Sequence, residues 1–441
     1  MEAKKFVSGF SKMTKEQKID WISDFYNESG KLDLKMFEAF WNQDEELQTV
    51  LENFSENTVS NFPMPFGIAP NFHINNKVYA VPMVIEESSV VAAASSAAKF
   101  WMDKGGFSCE VIGTEKIGQL HFTFTGGTSV LEGHFEEIKS VLLESVEAIT
   151  ANMRKRGGGV NSIELVDFSE QEANYYQLRV SFETCDSMGA NFINSVLEQF
   201  GVELKAFLST KHPEEKTAIV MAILSNLTPN CLVRASVECP VEELNKIHPE
   251  FSGEEFAERF RMAVRIAEID PYRATTHNKG IYNGVDAVVL ATGNDFRAVE
   301  ACGHAYASTK GAYASLSHCE VKDGHFKFWL DLPIALGTVG GLTKLHPLAN
   351  LALELLGRPS AKELMSIISA VGLAQNFAAL RSLVTTGIQK GHMKMHLKNI
   401  LTQFDASAEE EQAVNEYFSE KVISHSGVRD FILQMRSSVE Q

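Results

Sequence analysis

Cysteine is scarce in this chain, and basic residues are outnumbered by acidic ones. Six cysteines occur among 441 residues, and none of them form a Cys-x-x-Cys pair. We therefore expect free thiols packed as small apolar groups, rather than a disulfide framework or a structural zinc site. The 40 Lys and Arg face 57 Asp and Glu, giving a formal net charge of −17. That balance argues against binding to nucleic acid or to an anionic membrane surface.

Long apolar runs and the common nucleotide-binding motifs are also lacking. The sequence contains no uninterrupted apolar stretch of membrane-spanning length and no apolar signal-peptide core near its start, so we expect a cytoplasmic protein. It contains neither Gly-x-Gly-x-x-Gly nor the P-loop pattern, which disfavours a Rossmann or P-loop site. His392 and His396 have the spacing of helical metal ligands, but no third ligand lies nearby in the sequence. We therefore expect no metal.

What is present indicates an α+β fold with a large core, because hydrophobic residues make up 44% of the chain. Asn75-Asn76 is a turn signal between two strand-like runs, which predicts a β-hairpin. Between residues 107 and 222, strand-like runs alternate with helical stretches, a pattern typical of a ferredoxin-like split sheet. The strand-like runs are 108–112, 119–125, 162–168, 176–182 and 217–224, and the helical stretches are 133–155 and 188–208.

Three polar segments combine residue types that suit catalysis. Residues 270–280 hold two cations, several hydroxyl and amide donors and a glycine, which suits a carboxylate or a polarised carbonyl but also an ordinary polar loop. Asp295 stands in a Gly-Asn turn after an apolar run, which is typical of a site at the end of a strand or of a plain turn. Glu86-Glu87 lies between a strand and a small-residue helix; it could supply an acid, or simply favour the helix N-terminus.

A fourth segment, residues 186–191, follows a strand-like run and opens a predicted helix. Backbone N–H groups at a helix start favour phosphate, and Gly189 and Ala190 would let a pyrophosphate approach closely. The alternative is that Asp186 caps the helix and the small residues only allow close packing. The segment alone leaves both interpretations open.

Taken together, these segments resemble hydroxymethylglutaryl-CoA reductase of the soluble class II kind found in bacteria and archaea. The resemblance rests on stretches in the family's order across most of the chain. They are 80–95 (Ala-Val-Pro-Met-Val-Ile-Glu-Glu-Ser-Ser and the helix that follows), 186–191, 270–280, 291–295, 339–341, 372–376 and 391–393. The absence of a membrane region near the N-terminus fits class II rather than the membrane-anchored class I.

The resemblance implies roles for individual residues. Lys279 would polarise the thioester carbonyl, and Asp295 would contact Lys279 and hold it in position. Glu87 would protonate the mevaldyl oxygen, and His392 would protonate the departing CoA thiolate. The residues that would contact the substrate are Arg273, Ser89, Asn283 and Asn226, with Gln375 near the CoA moiety. The residues that would line the nicotinamide cofactor are Asp186, Met188, Gly189 and Asn191.

The resemblance also implies an architecture. A large mixed CoA-ester-binding domain would comprise residues 1–112 and 223–385. A small ferredoxin-like cofactor domain, 113–222, would be inserted into it, and residues 386–441 would form a C-terminal helical flap. The family further implies a homodimer or higher homo-oligomer, with active sites between subunits.

The implied activity is the four-electron reduction of hydroxymethylglutaryl-CoA to mevalonate and CoA with two NADH or NADPH, in the mevalonate route to isoprenoids. NADPH is favoured, because Thr150 stands where an acid would bind the ribose of NADH and Arg154-Lys155-Arg156 lies nearby. Two alternatives stay open: an enzyme that mainly oxidises mevalonate with NAD, and a catalytically silent CoA-ester-binding paralogue.

Overall fold

The computed structural model describes residues 7–26, 30, 32–385, 397, 400–418, 421 and 424–439. Its strands are β1 Phe66–Ile74, β2 Lys77–Val84, β3 Ser108–Val111, β4 Lys116–Phe124, β5 Gly159–Asp167, β6 Tyr175–Glu183, β7 Thr217–Ser225, β8 Leu232–Pro240, β9 Ser317–Lys322 and β10 His325–Pro333. Its α-helices are α1 Lys15–Tyr26, α2 Lys35–Ala39, α3 Glu45–Glu52, α4 Val90–Met102, α5 Thr128–Ser145, α6 Glu147–Arg154, α7 Ala190–Lys211, α8 Gly253–Ile269, α9 Pro271–Ala291, α10 Phe296–Tyr306, α11 Leu342–Leu345, α12 Pro347–Leu355, α13 Ala361–Val384, α14 Ala408–Tyr417 and α15 His425–Val439. Short 3₁₀ helices occupy Phe10–Lys12 and Val241–Lys246.

The predicted β-hairpin is confirmed. β1 and β2 pair antiparallel, with Ile74 opposite Lys77. Asn75 and Asn76 both have positive φ, 47° and 67°, as the two central residues of a tight primed turn require. Asparagine tolerates that conformation better than most residues, which explains why the turn falls there.

The inserted sheet has the order β5-β6-β4-β7, and every neighbouring pair is antiparallel. With α5 and α6 after β4 and α7 after β6, this is the ferredoxin-like arrangement that the sequence predicts. Two details differ. The predicted helix over 133–155 is broken at Val146, between α5 and α6. The run 108–112 does not belong to this unit, because β3 pairs with β8 in the second four-stranded sheet, β3-β8-β10-β9.

The second sheet packs with α4, α8, α9 and α13 around the largest core. Of the described helices, α13 is long and apolar enough to cross a membrane, although no uninterrupted apolar run was found in the sequence. In this fold, 72% of its most apolar window is buried inside the protein, as expected for a core helix. A separate small core joins residues of the C-terminal part, including Leu401, Val414 and Ile432.

All six cysteines are free, as the sequence predicts. Burial raises the pKa of the Cys109 thiol to about 12 and that of the Cys231 thiol to about 11. Thiols with such pKa values stay protonated near neutral pH and act as small apolar groups.

Helix α9 is held in place by close contacts at glycines. A Cβ added to Gly284 would lie 2.9 Å from the Val371 carbonyl oxygen of α13, and one added to Gly372 would lie 2.8 Å from a methyl group of Val285. On α10, a Cβ added to Gly303 would lie 1.5 Å from the Tyr282 hydroxyl of α9. These glycines therefore set the distances from α9 to its two neighbours.

We predict that Gly303→Ala lowers the free energy of unfolding by about 3 kcal/mol, because a methyl group cannot share the volume of the buried Tyr282 hydroxyl. Gly133→Ala is the matched control: it also lies inside a helix, but its added Cβ would meet nothing within 4 Å. The control should gain about 0.5–1 kcal/mol from its higher helix propensity. Urea unfolding measures both. Equal stability of the two variants would contradict the packing argument.

Candidate active site

An ion pair between Lys279 and Glu87 forms the centre of the candidate site. Lys279 projects from the third turn of α9, and Glu87 lies in the turn between β2 and α4. The ammonium Nζ lies 2.8 Å from Glu87 Oε2. The side chains are 61% and 37% exposed, so a ligand can reach both. The structure thus brings together the two residues that the sequence predicts as cation and acid.

Asn283 and Ser89 flank this pair. Asn283 stands one helical turn after Lys279, and its amide Nδ2 approaches Glu87 Oε2 at 3.5 Å. Ser89 is the N-cap residue of α4, with a left-handed backbone at φ 76°, and its hydroxyl makes no capping hydrogen bond. A left-handed conformation is uncommon for serine. The hydroxyl is therefore available to a ligand.

Arg273 lies in the first turn of α9, which places it about 9 Å along the helix axis from Lys279. Its side chain is half-buried, and burial lowers the pKa of its guanidinium. In the described part of the chain no carboxylate forms an ion pair with it. A half-buried cation with open donors suits a ligand carboxylate.

A buried polar chain supports this part of α9 from behind. His277 Nε2 lies 2.6 Å from Ser317 Oγ, and the Ser317 hydroxyl donates to Asn376 Oδ1 of α13 at 2.7 Å. Burial, with a smaller contribution from Arg273, lowers the pKa of His277 to about 3. The imidazole is therefore neutral near pH 7 and links α9 to β9 and α13 without adding a charge.

The expected contact between Asp295 and Lys279 does not form within one chain. Asp295 caps α10, accepting from the Arg297 and Ala298 N–H groups, and it pairs with Arg297 at 3.2 Å. The Asn294 N–H bonds back to Val289, so this turn lies at the C-terminal end of helix α9 and not at the end of a strand, as the sequence had suggested. Lys279 is about 18 Å away along the helix, at 1.5 Å per residue from 279 to 291. No side chain spans that distance.

The loop before α7 carries the four predicted cofactor residues. Gly189 is the N-cap of α7 with φ 92°, and a Cβ there would lie 2.5 Å from the Thr184 side chain. No side chain caps α7, so the N–H groups of its first turn are open to a phosphate. Asp186 does not cap α7, as one interpretation of the sequence had it. Instead its carboxylate accepts from the Ala361 N–H of α13 at 2.7 Å.

A basic turn lies against this loop. The Cys185 thiol donates to the Arg156 carbonyl at 3.3 Å, and a Cβ on Gly158 would lie 2.5 Å from the Glu183 carbonyl. Arg154, Lys155 and Arg156 are all exposed. Thr150, by contrast, is buried, and its hydroxyl donates to the Val146 carbonyl inside α6. The loop and the basic turn together fit a phosphate-rich cofactor.

Asn226 and Met188 meet in a narrow cavity, away from the Lys279–Glu87 contact. Sequence reasoning missed several other residues of its wall, which include Lys116, Thr228, Ala298 and Cys302. Lys116 could have been found, since it occupies an inward position in the alternation of β4.

Gln375 is buried against Gly284, and its side-chain oxygen has no hydrogen-bond partner among the described residues. His392, like His396, lies outside the described residues.

Comparisons with known proteins identify the family of this chain. A family model described as hydroxymethylglutaryl-coenzyme A reductase matches residues 16–397. The chain is 34% identical to 3-hydroxy-3-methylglutaryl-coenzyme A reductase of Archaeoglobus fulgidus over 420 residues, which is 93% of this chain and 90% of that protein. It is also 34% identical to a probable 3-hydroxy-3-methylglutaryl-coenzyme A reductase of Borreliella burgdorferi over 376 residues, covering 84% and 82%.

Solved structures agree as well. The class II 3-hydroxy-3-methylglutaryl-CoA reductase of Streptococcus pneumoniae, bound to NADPH in open conformations, is similar with a TM-score of 0.70 and 35% identity, over 86% of this chain and 100% of that one. Another structure of the Streptococcus pneumoniae reductase has a TM-score of 0.71 and 34% identity, over 97% and 100%. The chain therefore belongs to the hydroxymethylglutaryl-coenzyme A reductase family, in its class II branch.

Proposed function

We propose that this protein reduces hydroxymethylglutaryl-CoA to mevalonate and CoA, using two molecules of NADPH, in the mevalonate route to isoprenoids. The observation that carries the proposal is the contact of Lys279 with Glu87 at 2.8 Å, flanked by Asn283. A cation and an acid at one exposed point match the need to activate a carbonyl oxygen twice. Membership of the family supplies the substrate.

The pair can be displaced by a substrate at little cost. Exposed ion pairs contribute about 0–1 kcal/mol to stability, so an acyl oxygen can enter between Lys279 and Glu87 without a large loss. The ammonium would then donate to the oxygen as negative charge develops on it. Glu87 would hold the proton that this oxygen receives, and Arg273 would bind the free carboxylate of the substrate.

The reaction needs two hydride transfers, which the nicotinamide cofactor supplies. The first converts the thioester to a hemithioacetal. When the C–S bond of this intermediate breaks, the electron pair leaves on sulfur and the hydroxyl proton returns to Glu87 as the aldehyde forms. The departing thiolate would take a proton from His392. The second hydride reduces the aldehyde to the alcohol of mevalonate. His392 suits its proposed role because an imidazole changes charge near neutral pH.

We predict that the purified protein oxidises NADPH when hydroxymethylglutaryl-CoA is added, and that Lys279→Ala lowers kcat at least ~10³-fold, because the developing oxyanion loses its main donor. Absorbance at the reduced-nicotinamide band measures both. Lys205→Ala, an exposed lysine on α7, is the control and should keep full activity. Wild-type activity in Lys279→Ala would refute the assignment of the site.

We further propose a homodimer in which Asp295 of the partner subunit completes the site. Asp295 cannot reach Lys279 of its own chain, as the separation along α9 requires. In a two-fold dimer each chain can donate the same residue to the other. Leu348, Leu351 and Leu355 lie on one exposed face of α12, which supports an apolar subunit contact.

A complementation experiment tests this arrangement. Lys279→Ala and Asp295→Asn should each be inactive alone. Co-expression should restore about a quarter of wild-type activity, because half of the dimers are mixed and each mixed dimer keeps one intact site. The double variant Lys279→Ala/Asp295→Asn co-expressed with itself is the control. If co-expression restores nothing while mixed dimers form, the two residues act within one chain and the proposal fails.

The proposed preference for NADPH is supported by the positive charge of the basic turn, which consists of Arg154, Lys155 and Arg156. The cations of the basic turn lie beside the loop that opens α7, and the buried Thr150 offers no acid to a ribose. The side chain of Lys155 makes no hydrogen bond or ion pair within the described ranges, whereas those of Arg154 and Arg156 bond to backbone carbonyls of α6. Lys155 is therefore the cation best placed to bind a 2′-phosphate.

We predict that Lys155→Ala raises the KM for NADPH about tenfold and leaves the KM for NADH unchanged, because only NADPH carries the 2′-phosphate. Steady-state rates with each cofactor measure this, and Lys205→Ala again serves as the control. A wild-type enzyme with a lower KM for NADH than for NADPH would reverse the proposed preference.

The two alternative functions, a mevalonate-oxidising enzyme and a catalytically silent paralogue, predict different observations. An enzyme that mainly oxidises mevalonate would show a higher kcat/KM with mevalonate, CoA and NAD than in the reductive direction. A silent paralogue would be expected to lack one of the four proposed catalytic residues, but Lys279, Glu87, Asp295 and His392 are all present. Reductive synthesis, in the cytoplasm, remains our proposal.

A further inference from the structure

Lys116 is a buried lysine in a position where a structural role does not explain it. It begins β4 and is only 4% exposed. It shares the inward face of that strand with Leu120, Phe122 and Phe124. Inward-pointing charges are known to protect edge strands, but β4 is flanked by β6 and β7 in the middle of its sheet. Protection of a sheet edge therefore does not explain why a lysine is buried at position 116.

The Lys116 ammonium also lacks a protein partner. Over the residues that the structure describes, it makes no ion pair and no hydrogen bond. The nearest acid in the strand pairing is Glu183, next to Phe182, which lies opposite Lys116. The Glu183 carboxylate is already engaged by the Thr114 hydroxyl and by the Cys185 N–H. An ammonium held among apolar side chains without a protein acceptor is unfavourable, unless water or a ligand supplies the acceptor.

The side chain of Lys116 lines the narrow cavity in which Met188 and Asn226 meet. The same lining includes Met188, from the loop proposed to hold the cofactor, and Asn226, proposed to contact the substrate. Ala298 and Cys302 of α10 close the wall. Lys116 and Cys302 are the titratable side chains of this lining, and Lys116 alone can carry a positive charge.

We propose that Lys116 is a ligand-binding residue of this site, whose ammonium donates a hydrogen bond to an acceptor oxygen of the molecule held between the 186–191 loop and Asn226. The inference rests on the proposed function. Two sources share this chemistry: the carboxamide oxygen of the nicotinamide, and a carboxylate or acyl oxygen of the hydroxymethylglutaryl group. Both would satisfy the buried charge in the same way.

The test compares Lys116→Met, which keeps the length of the side chain and removes its charge, with Lys205→Met as a control on α7. Dissociation constants for NADPH and for hydroxymethylglutaryl-CoA are measured separately by calorimetry, alongside KM, kcat and the thermal midpoint. We expect Lys116→Met to weaken binding of one ligand about 10- to 100-fold. Its thermal midpoint should be equal to or above that of the wild type, because an uncompensated buried charge has been removed.

Loss of NADPH affinity alone identifies the carboxamide as the acceptor, and loss of hydroxymethylglutaryl-CoA affinity alone identifies the acyl portion. Unchanged affinities for both ligands in a folded Lys116→Met protein overturn the inference. A large drop in thermal midpoint with unchanged affinities also overturns it, since that result means a structural role.

If Lys116→Met does not fold, Lys116→Arg keeps the charge at a different position, and wild-type affinities in that variant would count against the proposal. An inactive wild type that still binds NADPH through Lys116 would instead indicate failure of the proposed function.

Discussion

The close packing of α9 on α13 is the constraint on which the site depends. Gly284 and Gly372 let the two helices approach, and the buried face of α9 carries Ile281, Val285 and Val288. A helix turns by about 100° per residue, so rotating α9 by one position would carry this apolar face toward solvent. The apolar stripe therefore fixes the opposite face, and with it the direction of Lys279 and Asn283.

Stability and chemistry are assigned to different faces of this helix. The hydrogen bonds from His277 through Ser317 to Asn376 are buried and join three elements, so they hold the helix in one position. The Lys279–Glu87 contact is exposed and contributes little to stability. Because the scaffold does not depend on that contact, a ligand can separate the pair while the backbone around it stays in place.

Much of the fold follows from local signals, and the remainder depends on tertiary pairing. Asn75-Asn76 predicted a turn because the signal is local, and the strand and helix order predicted the ferredoxin-like unit. The partner of β3 could not be predicted, since a four-residue strand has no signature that selects β8. The family resemblance predicted Lys279 and Glu87 as the cation and the acid of one site, and the structure brings the two together. The predicted contact of Asp295 with Lys279 does not form within one chain, where Asp295 pairs with Arg297. A motif gives residue types and order, and it does not say which subunit supplies each one.

The charge distribution explains how an acidic protein can bind acidic ligands. The chain carries a formal charge of −17, yet both a CoA thioester and a phosphorylated nicotinamide cofactor are anionic. Interactions between exposed charges are screened beyond about 8 Å at physiological ionic strength, so the net charge matters less than the nearest few side chains. Arg273, Lys116 and Lys155 have no carboxylate partner among the described residues, and each lies at a different part of the proposed site. Because no protein carboxylate neutralises these cations, their positive charge acts on the anionic ligand. The nearby cations therefore determine the affinity of the site, although the net charge of the protein is negative.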